Sequence, residues 1–449
     1  MSDTPSERIP RPAFLDSPAV AAVLAALPGA RAVGGCVRDA LAGRDIADVD
    51  IAAPVPPEQI AARLRAAGLK VFETGLAHGT VTAVLDRTPV EVTALRRDVL
   101  TDGRHAVVAW TTDWREDAAR RDFTINAMSL APDGALFDYF TGREDLAAGR
   151  VRFVGDPDTR LAEDYLRALR FFRFQARYGV GAPDAAAVAA IGRAVPGLKR
   201  LSAERVWMEL KRILSAPDPV AAVALMAQTG VLGGVLPEAG DQTALARLIE
   251  IGAPADPMLR FAALLPVMPY AQARAIADRF LPIVGEPEAV ALAKRLRFSG
   301  EERGTLMWLL GFSTPRPPTP DWDEGRLRSW MVSRDPEMLI RELWLAEARD
   351  GINRDALRRF VHVTPPPVFP LLGRDLLNAG VTPGPEVGQL LDAIREWWHD
   401  GGCVATREEA LAELDRRIAA AGPGADPGDG RGTPDGSGTG GDGGTALGG

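Results

Sequence analysis

The sequence predicts an α+β chain: a head built on a small mixed sheet, followed by an all-α neck, body and tail. Three observations carry this. Between about residues 30 and 150, short runs alternate apolar and polar side chains with the period of two expected of strands. After Gly155-Asp156-Pro157, apolar residues recur at spacings of three and four, and Pro and Gly mark the joints. The body beyond is rich in Ala, Leu and Trp at helical spacing, with no grouping that suggests chemistry.

Residues 1–13 are Pro-rich and read as mobile, and Phe14 to Leu27 reads as a short Ala-rich helix covering the first domain, so 1–29 is set apart from the head at 30–150. Ala32-Val33 is an apolar run that ends in Gly34 and Gly35. Glycines there allow a close approach of backbone to phosphate, and Arg38 adds a fork of donors suited to a triphosphate. The stretch Asp45 to Ala52 alternates Val49 and Ile51 with acids, which predicts a strand carrying Asp48 and Asp50 on one face. Two hard oxygen ligands side by side suit Mg²⁺, and a pair of ions roughly 3.5–4 Å apart can clamp an in-line displacement.

Gly79 to Leu85 and Pro89 to Ala94 predict two strands joined at Asp86-Arg87. Val90 and Val92 point one way and Glu91 the other, making Glu91 a candidate third ligand or general base. In Arg120-Arg121-Asp122-Phe123-Thr124-Ile125-Asn126-Ala127-Met128, Arg121 is a candidate partner for the phosphates. From Glu163 to Arg177, charged Glu163, Asp164, Arg167, Arg170, Arg173 and Arg177 run beside apolar Leu166, Leu169, Phe172 and Ala176 in a helical pattern. That pattern predicts that Asp164 and Arg167, at i and i+3, share a face. An Asp accepting from an exocyclic amine and an Arg donating to a ring nitrogen would admit cytosine and adenine and oppose guanine and uracil.

Gly34 to Asp39, Asp48 to Asp50, Arg120 to Met128, Asp138 to Leu146 and Glu163 to Arg167 together resemble the successive motifs of bacterial class II CCA-adding tRNA nucleotidyltransferases and of the related bacterial poly(A) polymerases. The resemblance spans about residues 30 to 215. It implies template-independent addition of C, C and A to the 3′ end of tRNA from CTP and ATP, with Asp48 and Asp50 as metal ligands; Glu91 is a candidate from the strand pattern alone. It assigns Gly34, Gly35, Arg38 and Arg121 to the triphosphate, Asp164 and Arg167 to the base, and Arg170 and Arg173 to the nucleotide site. The span Leu201 to Leu210, with Ser202 as its expected N-cap, resembles the motif that braces the base-reading helix and closes a neck at 151–214.

Poly(A) polymerases carry a basic stretch where this chain has Val71 to Thr80 without Lys or Arg, which favours CCA addition. Arg97 to His105 is long and polar enough to be the head loop that enzymes adding only two cytidines lack. Beyond the body at 215–360, the segment 361–418 resembles the family's tail, and a Gly-Pro turn near Gly384-Pro385 could hold a tRNA phosphate. The Gly-rich stretch 419–449 has the composition of a disordered tail. His78, His105, His362 and His399 lack the spacing of a His-Asp metal cluster, so no second hydrolase activity is expected.

The net charge of −8 over 449 residues argues against RNA binding only if the basic residues are spread evenly. They crowd instead between Arg167 and Arg212, which predicts a basic strip. Cys36 and Cys403 lie far apart and suit free thiols in a reducing compartment. The polar start, Met1 to Pro5, and the absence of any apolar run of about 20 residues predict a cytoplasmic protein with no membrane span. The pattern fixes no oligomeric state.

Overall fold

The computed structural model describes residues 3–76, 79–101, 106–265, 288–310 and 317–421. It divides into two compact units, one of Met1–Pro320 with Glu337–Phe360, the other of Asp321–Pro336 with Val361–Gly449. The second is built on Leu371, Leu376, Val381, Ile394, Ala410 and Leu414. It takes in the helix Glu324–Met331, which lies in sequence within the 215–360 segment.

The first unit holds the sheet. Strands β1 (Glu7–Arg8), β2 (Arg31–Val33), β3 (Asp50–Ala53), β4 (Lys70–Gly75), β5 (Thr80–Leu85) and β6 (Thr88–Ala94) join β9 (Ser129–Leu130) and β10 (Ala135–Phe137) in the order β1-β10-β9-β2-β3-β6-β5-β4. Only β3 and β6 run parallel, so the sheet is mixed as expected. The β5–β6 turn falls at Asp86 and Arg87, both at positive φ (48° and 68°), the backbone of a tight hairpin whose twist matches its strands. β7 (Arg96–Thr101) and β8 (Ala106–Trp110) form a separate two-stranded ribbon. The polar loop expected over Arg97 to His105 is therefore mostly strand, because Arg96 to Thr101 finds a partner far enough along the chain to pair with it; 102–105 lie outside the described residues.

Two further expectations change. The N-terminal residues are tied down: Glu7 and Arg8 pair with Leu136 and Ala135, and the Asp3 carboxylate meets Arg31 and Tyr139. The Phe14–Leu27 helix is in fact a 3₁₀ turn, Ala13–Asp16, then α1 (Pro18–Ala26). Pro18 forces Ser17 into extended backbone (φ −61°, ψ 136°), which breaks the run. α1 does cover the sheet as read: Val20, Val23 and Leu24 share a core with Ile51, Val81 and Val92.

α2 (Gly35–Leu41) follows β2 directly, α3 (Pro57–Ala66) backs the sheet beside α1, and α4 (Trp114–Ala119) and α5 (Gly142–Ala147) flank the segment Arg120 to Met128. The neck follows as α6 (Pro157–Glu163), α7 (Leu166–Tyr178), α8 (Ala185–Ala194) and α9 (Ala203–Leu214). Phe123, Phe153, Phe171 and Phe174 stack where α7 meets the head, with centroids 4.8–6.3 Å apart. Truncating one such buried ring costs about 3–5 kcal/mol, so this cluster fixes α7 firmly. Ser202 does precede α9, but its side chain makes no capping bond.

The helical pattern from Glu163 to Arg177 is interrupted. α6 ends at Glu163, Asp164 is extended (φ −155°), and α7 starts at Leu166. Tyr165 occupies the break with its ring against Gly197, where a Cβ would come within 2.1 Å of it, so only glycine lets the two segments meet.

Candidate active site

Three carboxylates gather on one face of the sheet, at the edge of that face where the central strand β3 begins. β3 and β6 run parallel with Asp50 in register with Glu91, so both project from the same face while Ile51 and Val92 are buried on the other. Asp48 lies two residues before β3 begins, in exposed non-strand backbone. The strand expected to carry Asp48 and Asp50 together thus starts only at Asp50, since β2 is three residues long and offers no partner further back. Asp50 keeps solvent access, yet the protein packed around it pushes its carboxyl above the ordinary range. Glu91 and Asp48 push the same way, against a pull from Arg121. Among the described residues none of the three acids has an ion-pair or hydrogen-bond partner for its side chain.

The glycine turn sits beside this edge. Gly34 has φ 73°, ψ −124°, a conformation L side chains resist, and a Cβ on it would lie 3.0 Å from Arg121 Nη1. Arg121 also donates to Asp117 Oδ2 (3.3 Å) and the Asn126 carbonyl (3.4 Å), placing its guanidinium between the turn and the acids. Asp117 is buried; burial works to raise its pKa, but Arg121 and Arg120 hold it below the usual range.

Arg38, expected as a fork of donors, is already partly engaged. It is buried, with Nε and Nη2 on Asp39 (3.1 and 2.9 Å) and Nη1 on Asn126 Oδ1 (2.6 Å). Gly35 stands over it, the position of its missing Cβ 3.6 Å from Arg38 Nη2.

The neck residues are all engaged. Asp164 is not on α7 and shares no helical face with Arg167, because the break at Tyr165 intervenes. Its Oδ1 accepts from the Leu166 amide (3.0 Å) and its Oδ2 from Arg205 of α9 (2.6 Å). Arg167 donates to Glu163 and to the Arg160 carbonyl. Arg170 binds Asp122 (Nε to Oδ2 2.6 Å), whose other oxygen holds the Phe123 amide and Asn126 Nδ2. Burial would raise Asp122, but Arg170 and Asn126 hold it low. Arg173 faces Glu209 at 3.3 Å, and burial brings its guanidinium down to about 10.

Asp39, Asn126 and Arg205 are partners of the candidate residues that the sequence pattern does not single out, whereas Glu163 with Arg167 is an i, i+4 ion pair of the kind the spacing offers. Asp39 next to Arg38 and Asn126 four residues after Asp122 were visible signals; Arg205 was not, being 41 residues from Asp164. The motif Asp138 to Leu146 is a brace. Asp138 accepts from the amides of Phe140, Gly142 and Arg143, and fully buried Asp145 binds Thr124, Arg150 and Arg152. Cys36 and Cys403 are free thiols, as expected, and both are buried. No helix among the described residues is long and apolar enough to cross a membrane.

Among the described residues no group of three or more His, Cys, Asp and Glu is gathered tightly enough to hold a metal ion unaided. Unpaired acids whose charges oppose one another still fit a hard divalent cation, provided that substrate phosphates complete its shell, the usual arrangement for Mg²⁺.

The family model described as the Poly A polymerase head domain matches residues 30–152, and that described as the probable RNA and SrmB-binding site of polymerase A matches residues 183–242. The mitochondrial CCA tRNA nucleotidyltransferase 1 of Danio rerio is 36% identical over 86% of this chain and 87% of its own. The CCA-adding enzyme of Lacticaseibacillus paracasei is 29% identical over 81% and 86%. The crystal structure of the Bacillus stearothermophilus CCA-adding enzyme in complex with CTP superposes with a TM-score of 0.67 at 27% identity, covering 90% of this chain and 98% of that one. Relatives named mitochondrial match along with bacterial ones, so the likeness does not single out the bacterial branch. Identity of this order along most of both chains, on a shared fold, places the chain in the tRNA nucleotidyltransferase family of CCA-adding enzymes.

Proposed function

We propose that this chain adds C, C and A in turn to the 3′ end of tRNA from CTP and ATP, releasing pyrophosphate. The observation that carries the reading is the unpaired acidic edge of Asp48, Asp50 and Glu91 beside the Gly34 turn and Arg121. Asp48 and Asp50 would hold Mg²⁺, which when bound lowers the pKa of an attacking hydroxyl and neutralises charge on the leaving phosphates. Glu91 completes the acidic edge. Gly34 and Gly35 let backbone approach the triphosphate, and Arg121 and Arg38 grip it. Asp164 and Arg167 select the base, which requires each to exchange its present partner, Arg205 or Glu163, for base edges. Arg170 and Arg173, assigned to the nucleotide site, hold α7 to the head and to α9 through Asp122 and Glu209 and would have to exchange those partners to reach a nucleotide.

The division into head, neck, body and tail belongs to the same reading, with tRNA along the basic neck and the 361–418 segment. The vertebrate relatives are named mitochondrial; the free thiols suit any reducing compartment, the cytoplasm included. The name of the head-domain model keeps poly(A) addition as the second reading.

Incubation with Mg²⁺, tRNA lacking its 3′ CCA and each radiolabelled nucleotide separates these cases. Incorporation of C, C and A with arrest after three residues is expected. Long A tracts would establish poly(A) polymerase, arrest after two cytidines a partial enzyme, and no incorporation a binding protein.

A further inference from the structure

Tyr178, the last residue of α7, has no part in the reading above, yet it touches the triphosphate arginine. Its hydroxyl donates to Asp39 Oδ1, the oxygen that also accepts from Arg38 Nε. Its ring lies under the Arg38 guanidinium, 4.5 Å from centroid to Cζ, and the next aromatic on that face, Phe174, lies 5.1 Å away. Arg44 covers Tyr178 as well (4.6 Å) and donates to the Arg177 carbonyl at 2.6 Å, tying the end of α2 to the end of α7. One turn further back than Phe174, Arg170 reaches Arg38 by another route, through Asp122 and Asn126.

Arg170, Phe174 and Tyr178 stand at i, i+4 and i+8, one face of one helix over roughly 12 Å. This face therefore holds Arg38 at two ends. The bonds to Asp39 and Asn126 leave one N–H on each terminal nitrogen of Arg38 uncommitted, and Gly35 leaves room above Nη2.

We infer that Tyr178 is a positioning residue for Arg38: through Asp39 and its ring it fixes the direction of the two free N–H groups toward the nucleotide's phosphates. The inference rests on the assignment of Arg38 to the triphosphate. The tether acts on phosphate, so it affects CTP, ATP and inorganic pyrophosphate equally, whichever base is present. It also makes the helix that begins at the base-reading residues the helix that aims the phosphate grip.

Calorimetric titration of the full chain with CTP, and separately with pyrophosphate, in the presence of Mg²⁺, tests this in Y178F, D39N and the double variant. Y178F should raise both dissociation constants by the same factor, about three- to tenfold, the equivalent of one hydrogen bond. Stoichiometry should stay at the wild-type value, and the double variant should be no weaker than the weaker single one. A structural role alone would lower the stoichiometry through misfolded protein and leave the dissociation constants unchanged, which overturns the proposal. So does a loss for CTP without a matching loss for pyrophosphate. Binding is read without turnover, so an inactive wild type would sink the proposed function while leaving this question decided.

Discussion

The acidic edge and the neck helix hold their charges in opposite ways. At the edge, Asp48, Asp50 and Glu91 face one another with no cationic partner bonded to them among the described residues, and burial, with Glu91 and Asp48 adding to it, holds the Asp50 carboxyl above the ordinary range. On the neck every candidate is paired, Asp164 with Arg205, Arg167 with Glu163, Arg170 with Asp122 and Arg173 with Glu209. Like charges left together destabilise a fold unless a ligand of opposite sign arrives; paired charges stabilise it and must be exchanged for a ligand. The first arrangement awaits a cation, the second a choice between partners.

This contrast can be broken at either end. The largest effect expected is that of D50N, which should cut CMP incorporation by at least about a thousandfold, the several kcal/mol a metal-held charge contributes, and leave tRNA binding within about twofold. The same variant should be no less stable than wild type at neutral pH. A carboxyl whose folded pKa is raised contributes less stability as pH rises through it, so removing its charge relieves the fold. Equal or higher melting temperature with lost activity sharpens the comparison; a large stability loss breaks it.

Asp122→Asn is the converse, leaving Arg170 without its partner at a cost of about 3 kcal/mol, read from denaturant midpoints. Asp122 is held low in the fold, so its contribution is present above its unfolded pKa of about 4 and fades as pH falls through the lower folded value. In the variant that acid-sensitive component should vanish.

Asp164→Ala should relax base choice by about ten- to a hundredfold, the 1–3 kcal/mol of one bidentate base contact, and slow CMP addition less than that. Equal losses for all four nucleotides would move Asp164 from reading bases to holding the neck. The smallest effect belongs to R193A, whose pairing with Asp158 is exposed on both sides: its denaturant midpoint should match that of wild type.

What could be read from the sequence was local. The alternation Val90-Glu91-Val92, the Asp86-Arg87 turn and Gly34 each rest on neighbours in the chain, and each appears in the structure where the pattern placed it. The periodicity of α7 was legible too, but not its start. Tyr165 closes against Gly197, 32 residues on, and that contact took Asp164 off the helix. Asp48 fell outside β3 because strand length depends on a partner, and the neighbouring β2 is short. Arg38 is legible by type but not in its surroundings, since Asn126 and Tyr178, which bury it, come from segments far along the chain. The N-terminal strand escaped notice for the same reason: two residues pair only because β10 offers an edge.

Under the proposed function, the acids at this edge, with a nucleotide's phosphates, hold a divalent cation. Electron paramagnetic resonance of Mn²⁺ titrated into the protein with and without CTP tests it most directly. Wild type should bind the ion more tightly when CTP is present, D48A and D50N should lose that CTP-dependent binding, and D164A should retain it. Unchanged Mn²⁺ binding in D48A and D50N would mean that these carboxylates are not its ligands.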